Sequence, residues 1–346
     1  MELAVIWFVA IAVLWIGFFL LEGFDFGVGT LLPFMGKRHS VDRRVAINAI
    51  GPVWDANEVW MITAVGAMFA AFPAWYASMF SGFYVPVLLI LLALIVRGVA
   101  FEYRHKRDSD RWRNWWDRAI FFGSTVPSFL WGLIFANLVQ GVAMDADHIV
   151  TASLTDLFNP YALLGGLTTL SLFTLHGAVF LTLKTDGPVR ARARTAAMGS
   201  ACVAVPALTG FLLWTQAAHG APWTQPLVLV AAAALVGGVA AARLRREGWS
   251  FLATAVTIVL TFTVLLGSLF PNVLPSTTDP AFSLTVANAS SADYTLTVMT
   301  WVAVVFLPLV LLYQGWSYWV FRQRVTGAQI TGASAATDGQ GPKQPA

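Results

Sequence analysis

LAVIWFVAIAVLWIGFFLLEGFDFGVGTLL, residues 3–32, is an apolar run longer by about ten residues than a helix needs to cross a bilayer, and it carries Glu22 and Asp25 near its end. No basic segment precedes it and no cleavage site interrupts it, so it reads as a retained helix and not as a signal peptide. The rest of the chain is built the same way. Of 346 residues, 58% are hydrophobic and 11% charged, whereas a soluble domain carries about 25% charged residues. A soluble enzyme is excluded, because too few charges remain to coat a surface. The net charge of +3 points to no nucleic-acid partner, since in a polytopic chain the placement of Lys and Arg matters more than their sum. A single cysteine, Cys202, rules out a disulfide framework or a cysteine metal cluster.

Only helices or closed barrels cross a bilayer, and the apolar runs have helical length. Nine are expected: Leu3 to Leu32, Val53 to Phe72, Ala77 to Phe101, Ile120 to Val142, Tyr161 to Leu183, Ala196 to Ala218, Leu227 to Ala242, Ser250 to Phe270 and Leu296 to Phe321. The loops test that count. On one side lie Lys37, Arg38, Arg43 and Arg44, then Arg104, Lys106, Arg107, Arg111, Arg113 and Arg118. Lys184, Arg190, Arg192 and Arg194 follow, then Arg243, Arg245 and Arg246, then Arg322, Arg324 and Lys343; these are 20 of the 21 basic residues. The opposite loops carry Asp145, Asp147, Asp156, Asp279 and Asp293. Basic loops stay in the cytoplasm, so the fold expected is all-α and polytopic, with the N-terminus outside and the C-terminus cytoplasmic. Residues 1–326 form the transmembrane domain, and 327–346, poor in apolar residues, a disordered cytoplasmic tail. The outer connections Gly141 to Pro160 and Pro271 to Asp293 are long enough to cap the outer face or meet a partner, or are plain surface loops.

Ionised groups inside a bilayer are costly, which singles out four acids. Glu22 and Asp25, and Asp55 and Glu58 at the start of the second span, are each spaced i, i+3, on one helix face. For Asp55 and Glu58 a capping role beside Pro52 competes with a proton relay. Glu22 and Asp25 sit at the helix end where the dipole repels anions, so they must be protonated, paired or wetted. Gly23 and Gly27 form a small face beside them for close approach of another helix, expected here to come from a second subunit. Arg97, inside the third span, is expected to snorkel or to pair with Glu102, Asp55 or Glu58. His176 reads as a hydrogen-bonded contact between helices in preference to a haem ligand, for which no second axial partner is evident.

The stretches Glu22-Gly23-Phe24-Asp25-Phe26-Gly27-Val28-Gly29 and Pro52-Val53-Trp54-Asp55-Ala56-Asn57-Glu58-Val59-Trp60 resemble the signatures of subunit II of the cytochrome bd-type quinol oxidases. Phe80-Ser81-Gly82-Phe83-Tyr84, Trp112-Arg113-Asn114-Trp115-Trp116-Asp117, Phe270-Pro271-Asn272-Val273-Leu274-Pro275-Ser276 and the run from Leu296 to Val305 resemble that family in the same order. The resemblance implies two four-helix bundles plus one peripheral helix, in a bacterial cell membrane. It implies a partner, subunit I, carrying two b-type haems, one d-type haem and the quinol site, with small single-helix subunits as further partners. This chain would ligate no haem or metal. The complex would oxidise quinol, reduce oxygen to water and draw protons from the cytoplasm, generating proton motive force. Asp25 and Asp55 match positions of the cytoplasmic proton path, with Glu22 and Glu58 weaker matches. Trp54 matches a contact with bound quinone or with the subunit interface. A proton-coupled secondary transporter is the competing reading, but its acids would lie near the midplane on broken helices in matched halves.

Overall fold

The computed structural model describes residues 2–37 and 40–330; the greater part of the tail expected over 327–346 lies outside them. The chain is all-α apart from one short hairpin. The helices are α1 Glu2–Leu31, α2 Val41–Ile50, α3 Trp54–Ala71, α4 Pro73–Gly82, α5 Tyr84–Tyr103, α6 Asp110–Gln140, α7 Pro160–Lys184, α8 Gly187–Ala218, α9 Gln225–Arg243, α10 Glu247–Leu269 and α11 Asp293–Val320. Among the described residues eight helices are long and apolar enough to cross a membrane. The expected second span, α3, is not among them, because its 18 residues begin with Asp55, Asn57 and Glu58. It still runs between the two ends of the molecule. Gly51 and Pro52 at its start share a cleft with Phe321 and Val325, and the Ala71 carbonyl at its end accepts a 2.8 Å bond from the Ser291 amide.

Two expectations change. The third run is not one helix from Ala77 to Phe101. Pro73 opens the short helix α4, the chain breaks at Phe83, and α5 starts at Tyr84. Proline suits a first helical turn because it lacks the donor a helix interior requires. The basic connection after α1 also folds, into α2, which buries Val45, Ala46, Ala49 and Ile50.

Helix α1 is the hub, touching α3, α6, α7 and α10. Its aromatic side chains interlock with those of its neighbours: Phe19 stacks on Phe262 at 3.8 Å, and Trp15 meets Trp131 at 4.9 Å. Where α1 crosses α7 there is no room for side chains. A Cβ on Gly27 would lie 1.9 Å from the Phe173 carbonyl oxygen, and one on Gly177 would lie 2.5 Å from Gly27 C. The close approach expected at Gly23 and Gly27 is therefore made by the chain's own α7 and not by a second subunit. Helix α11, by contrast, buries only Leu296 and Gln314 and leans mainly on α1 and α3.

The two long connections cap one end. Strands β1 Asn272–Leu274 and β2 Leu284–Thr285 pair antiparallel, and Val273 and Leu274 are fully buried. Val142 and Thr277 bond across the two connections, and Ser78 of α4 donates to the His148 carbonyl at 2.7 Å. At the other end the segment after α11 crosses back, with the Val325 amide donating to Lys184 O at 2.8 Å. Arg324 reaches Glu247 at 3.5 Å, and Ile330 is buried.

Gly177→Ala should cost about 1–3 kcal/mol, because two backbones must separate to admit a methyl group. Gly66, whose Cβ would meet nothing within 4 Å, should accept alanine with no loss. Thermal unfolding of the purified protein measures both.

Candidate functional site: a buried acidic cluster

Glu22 and Asp25 lie on the inward face of α1, Asn57 and Glu58 on α3 and Arg97 on α5, and all five side chains converge near the basic end of the molecule. Glu22, Asp25, Asn57 and Arg97 are completely buried. The Arg97 guanidinium donates through Nη1 to Glu22 Oε1 and stands 3.4 Å from Glu58 Oε1. Its planar cation is also sandwiched by rings, 4.9 Å from the centroid of Phe26 and 5.3 Å from that of Phe101. Cation–π contacts of this kind help hold a desolvated guanidinium. Burial without a counter-ion would be prohibitive, and Arg97 therefore stays inside instead of snorkelling. Of the pairings expected for it, Glu58 is realised and Asp55 and Glu102 are not.

Asp25 is held differently. Asn57 Nδ2 donates to its Oδ2 at 2.6 Å, and Asn57 Oδ1 accepts from the Tyr318 hydroxyl of α11 at 2.7 Å. The tyrosine hydroxyl thereby fills the acceptor end of the amide whose NH2 end faces the carboxyl. One carboxylate oxygen on each of Glu22 and Asp25 and two guanidine nitrogens of Arg97 have no hydrogen-bond partner within the protein. Two carboxyl groups share one guanidinium and a third, Asp25, lies beside them without it, so the cluster has more proton-binding groups than counter-charges.

Asp55 stands apart. It lies in the first turn of α3, is exposed, and the helix start carries no side-chain cap. Pro52 precedes the helix in a turn and does not occupy its first position. Trp54, half-buried, rests against Phe101 at 5.0 Å and packs close over Gly98. The sequence reading thus found the acids but missed Asn57, Tyr318 and the Glu22–Arg97 pair. Asn57 lay within the quoted α3 motif, as the one other hydrogen-bonding residue between the two acids. Tyr318, 261 residues away, left no local signal.

His176 is fully buried between α7 and α10, with Nδ1 2.8 Å from Thr254 Oγ1 and its ring stacked on Phe251 at 4.7 Å. This is the contact between helices expected of it. Phe24 stands edge-on to the ring at 6.0 Å, and the residue has no accessible surface. Among the described residues no three His, Cys, Asp or Glu lie together as metal ligands.

Residues 3–321 match the family model described as cytochrome bd terminal oxidase subunit II. The chain is 45% identical over 326 residues to the cytochrome bd ubiquinol oxidase subunit 2 of Bacillus subtilis (strain 168), covering 93% of this chain and 96% of the relative. It is 38% identical over 363 residues to the cytochrome bd-I ubiquinol oxidase subunit 2 of Escherichia coli (strain K12), covering 94% and 96%. In fold it resembles a chain of the bd oxidase from Geobacillus thermodenitrificans, with a TM-score of 0.76 at 19% identity, covering 93% of this chain and 99% of that one.

Arg97→Gln should destabilise the protein by about 3–5 kcal/mol, because Glu22 would be left buried without its counter-ion. Adding Glu22→Gln should restore most of the loss. A double-mutant cycle on thermal unfolding checks the pairing, and additive losses would deny it.

Proposed function

Because the chain belongs to the cytochrome bd terminal oxidase subunit II family, we propose that its buried acidic cluster is the part through which it serves the oxidase reaction. The complex oxidises quinol and reduces oxygen to water. Haems supply the electron transfer and oxygen chemistry, and they belong to the companion subunit I. This subunit stabilises that partner and passes protons inward from the cytoplasm. Quinol protons leave on the outer side, so turnover is electrogenic without a pump.

One observation carries this reading. Carboxyl groups from α1 and α3 gather on one buried guanidinium, while Asp55, one helical turn from Glu58, is exposed at the surface where the basic loops lie. Asp55 takes up the proton, Glu58 and Asp25, the latter aligned by Asn57, relay it, and Glu22, one turn deeper on α1 against Arg97, is the inner station. Glu58 and Glu22 carry the weaker assignments, because their pairing with Arg97 also serves stability. Trp54 offers a half-buried indole beside this route for a bound quinone ring or for the partner subunit.

The membrane placement is part of the proposal. Nine crossings, α3 included, with the N-terminus outside, put the basic loops on the cytoplasmic side. The end-to-end course of α3 supports that count, at a length of about 27 Å. The spans then divide into α1, α3, α5 and α6, and α7 to α10, with α11 peripheral. A proton-coupled transporter is set aside, because the family match spans residues 3–321 and the acids cluster at one end instead of the midplane.

Asp55→Asn should lower quinol-driven oxygen consumption about tenfold or more, equivalent to about 1.4 kcal/mol of added barrier per tenfold, with haem absorbance unchanged. Asp25→Asn should do the same, and the double variant should lose far less than the sum. Near-normal turnover in Asp55→Asn would reject the relay. His176→Ala should keep every haem band and cost about 0.5–1.5 kcal/mol of stability through the lost hydrogen bond; loss of a band in an assembled complex would reassign a ligand.

A further inference from the structure

The connection from α5 to α6 and the first turns of α6 enclose a cleft of about 820 Å³ whose walls include Arg107, Ser109, Arg111, Trp112, Trp115 and Arg118. Three guanidinium groups face one concave space. The acids around it are engaged elsewhere: Asp108 and Asp110 pair with Arg113, and Asp117 takes Arg43 at 3.0 Å and Arg104 at 2.6 Å. Arg107 lies over the Trp112 ring, 4.6 Å from its centroid. Arg111 and Arg118 are exposed and make no ion pair or hydrogen bond among the described residues. Uncompensated like charges in one cleft repel, and they are relieved by an anion that several of them share.

The helix surface leading away from the cleft indicates which anion. Arg111, Trp115, Arg118 and Phe122 are spaced i, i+4, i+7 and i+11, so they form one stripe down α6. All four are exposed, Trp115 by 63% and Phe122 by 60%. The stripe passes from charge, through an amphipathic indole, to a bare hydrocarbon ring. The apolar part of α6 begins at Ile120, two residues past Arg118. The arginines therefore stand at headgroup depth and Phe122 at acyl-chain depth, with tryptophan at the boundary, where it is favoured. Guanidinium forks match phosphate oxygens in geometry and charge. Inorganic phosphate would use the arginines but has nothing to place against Trp115 and Phe122.

We propose that this cleft binds the phosphate headgroup of an anionic phospholipid, with its acyl chains descending α6 past Trp115 and Phe122. Only the choice of leaflet, the cytoplasmic one, rests on the orientation given under the proposed function. The site lies apart from the Glu22–Arg97 cluster and holds no part of the proton route. Its place is structural: an anion shared by Arg111 and Arg118 ties the surface of the long α6 to the lipid in which it stands.

The test uses the purified oxidase complex in nanodiscs of phosphatidylglycerol or of phosphatidylcholine, with bound lipid counted by native mass spectrometry after transfer to detergent. The wild-type complex should retain one more phosphatidylglycerol than the Arg111→Gln/Arg118→Gln variant, whose retention should weaken roughly tenfold or more, the loss expected of two arginines at a membrane surface. Arg113→Gln, on an arginine already paired with acids, should retain the lipid. Excess inorganic phosphate should not displace it. Equal retention by the double variant, equal retention of phosphatidylcholine, or displacement by inorganic phosphate would each overturn the proposal. Haem absorbance of each variant reports assembly independently, so failure of lipid binding in an intact, active oxidase leaves the functional reading standing. Should the double variant not assemble, Arg118→Gln and Trp115→Ala singly carry the same readout.

Discussion

The arrangement turns on one buried cation. Arg97 sits in the interior of a membrane protein, where an isolated charge is among the least tolerated groups, and it remains because Glu22 of α1 and Glu58 of α3 face it while Phe26 and Phe101 cover its planar faces. These contacts lock α1, α3 and α5 to one another at one depth. A buried pair of this kind adds little net stability against an apolar replacement, yet breaking it is costly, so its effect is to specify which helices meet and in what register.

Specific register is also what permits the crossing of α1 and α7. With backbones in contact at Gly27 and Gly177, α1 lies flush against the second group of helices, and the faces left over hold Glu22 and Asp25 toward α3 and α5. The polar cluster and the glycine crossing are thus two faces of one helix. Glu22 and Gly23 are adjacent in sequence and point to opposite tasks, ion pairing on one side and packing against Phe173 on the other. This is why one helical motif carries both acids and the glycines of the crossing.

The same chemistry, arginine against an anion, recurs under different solvation. At Arg97 the anion is the chain's own glutamate, sealed from water and lipid. On α10, Glu247 gathers Arg190, Arg194 and Arg324, which ties the segment after α11 to the start of α8 and of α10. On α6, Arg111 and Arg118 find no acid and look outward. Burial decides the setting of each: a sealed ion pair in the interior at Arg97, a part-buried clasp on Glu247, and exposed arginines on α6.

Much of this could be read from the chain itself, because bilayer physics leaves few options. Apolar runs of span length must be helices, loop basicity separates the two sides, and acids such as Glu22, Asp25 and Glu58 stand out against a hydrocarbon background. The motifs around Asp25 and Asp55 also carried the family resemblance. What the chain could not reveal were relations between distant residues. Nothing local announces that Tyr318 reaches Asn57, that Arg97 pairs with Glu22 and not Glu102, or that α7 covers Gly27. The break at Phe83 was equally hidden, since only the start of a new helix at Pro73 and the packing of α4 under the cap formed by the two long connections divide the run. Composition determines which segments must enter the membrane, because that depends on transfer free energy summed along the chain. Tertiary packing decides which faces meet, because that depends on contacts between residues up to 293 positions apart.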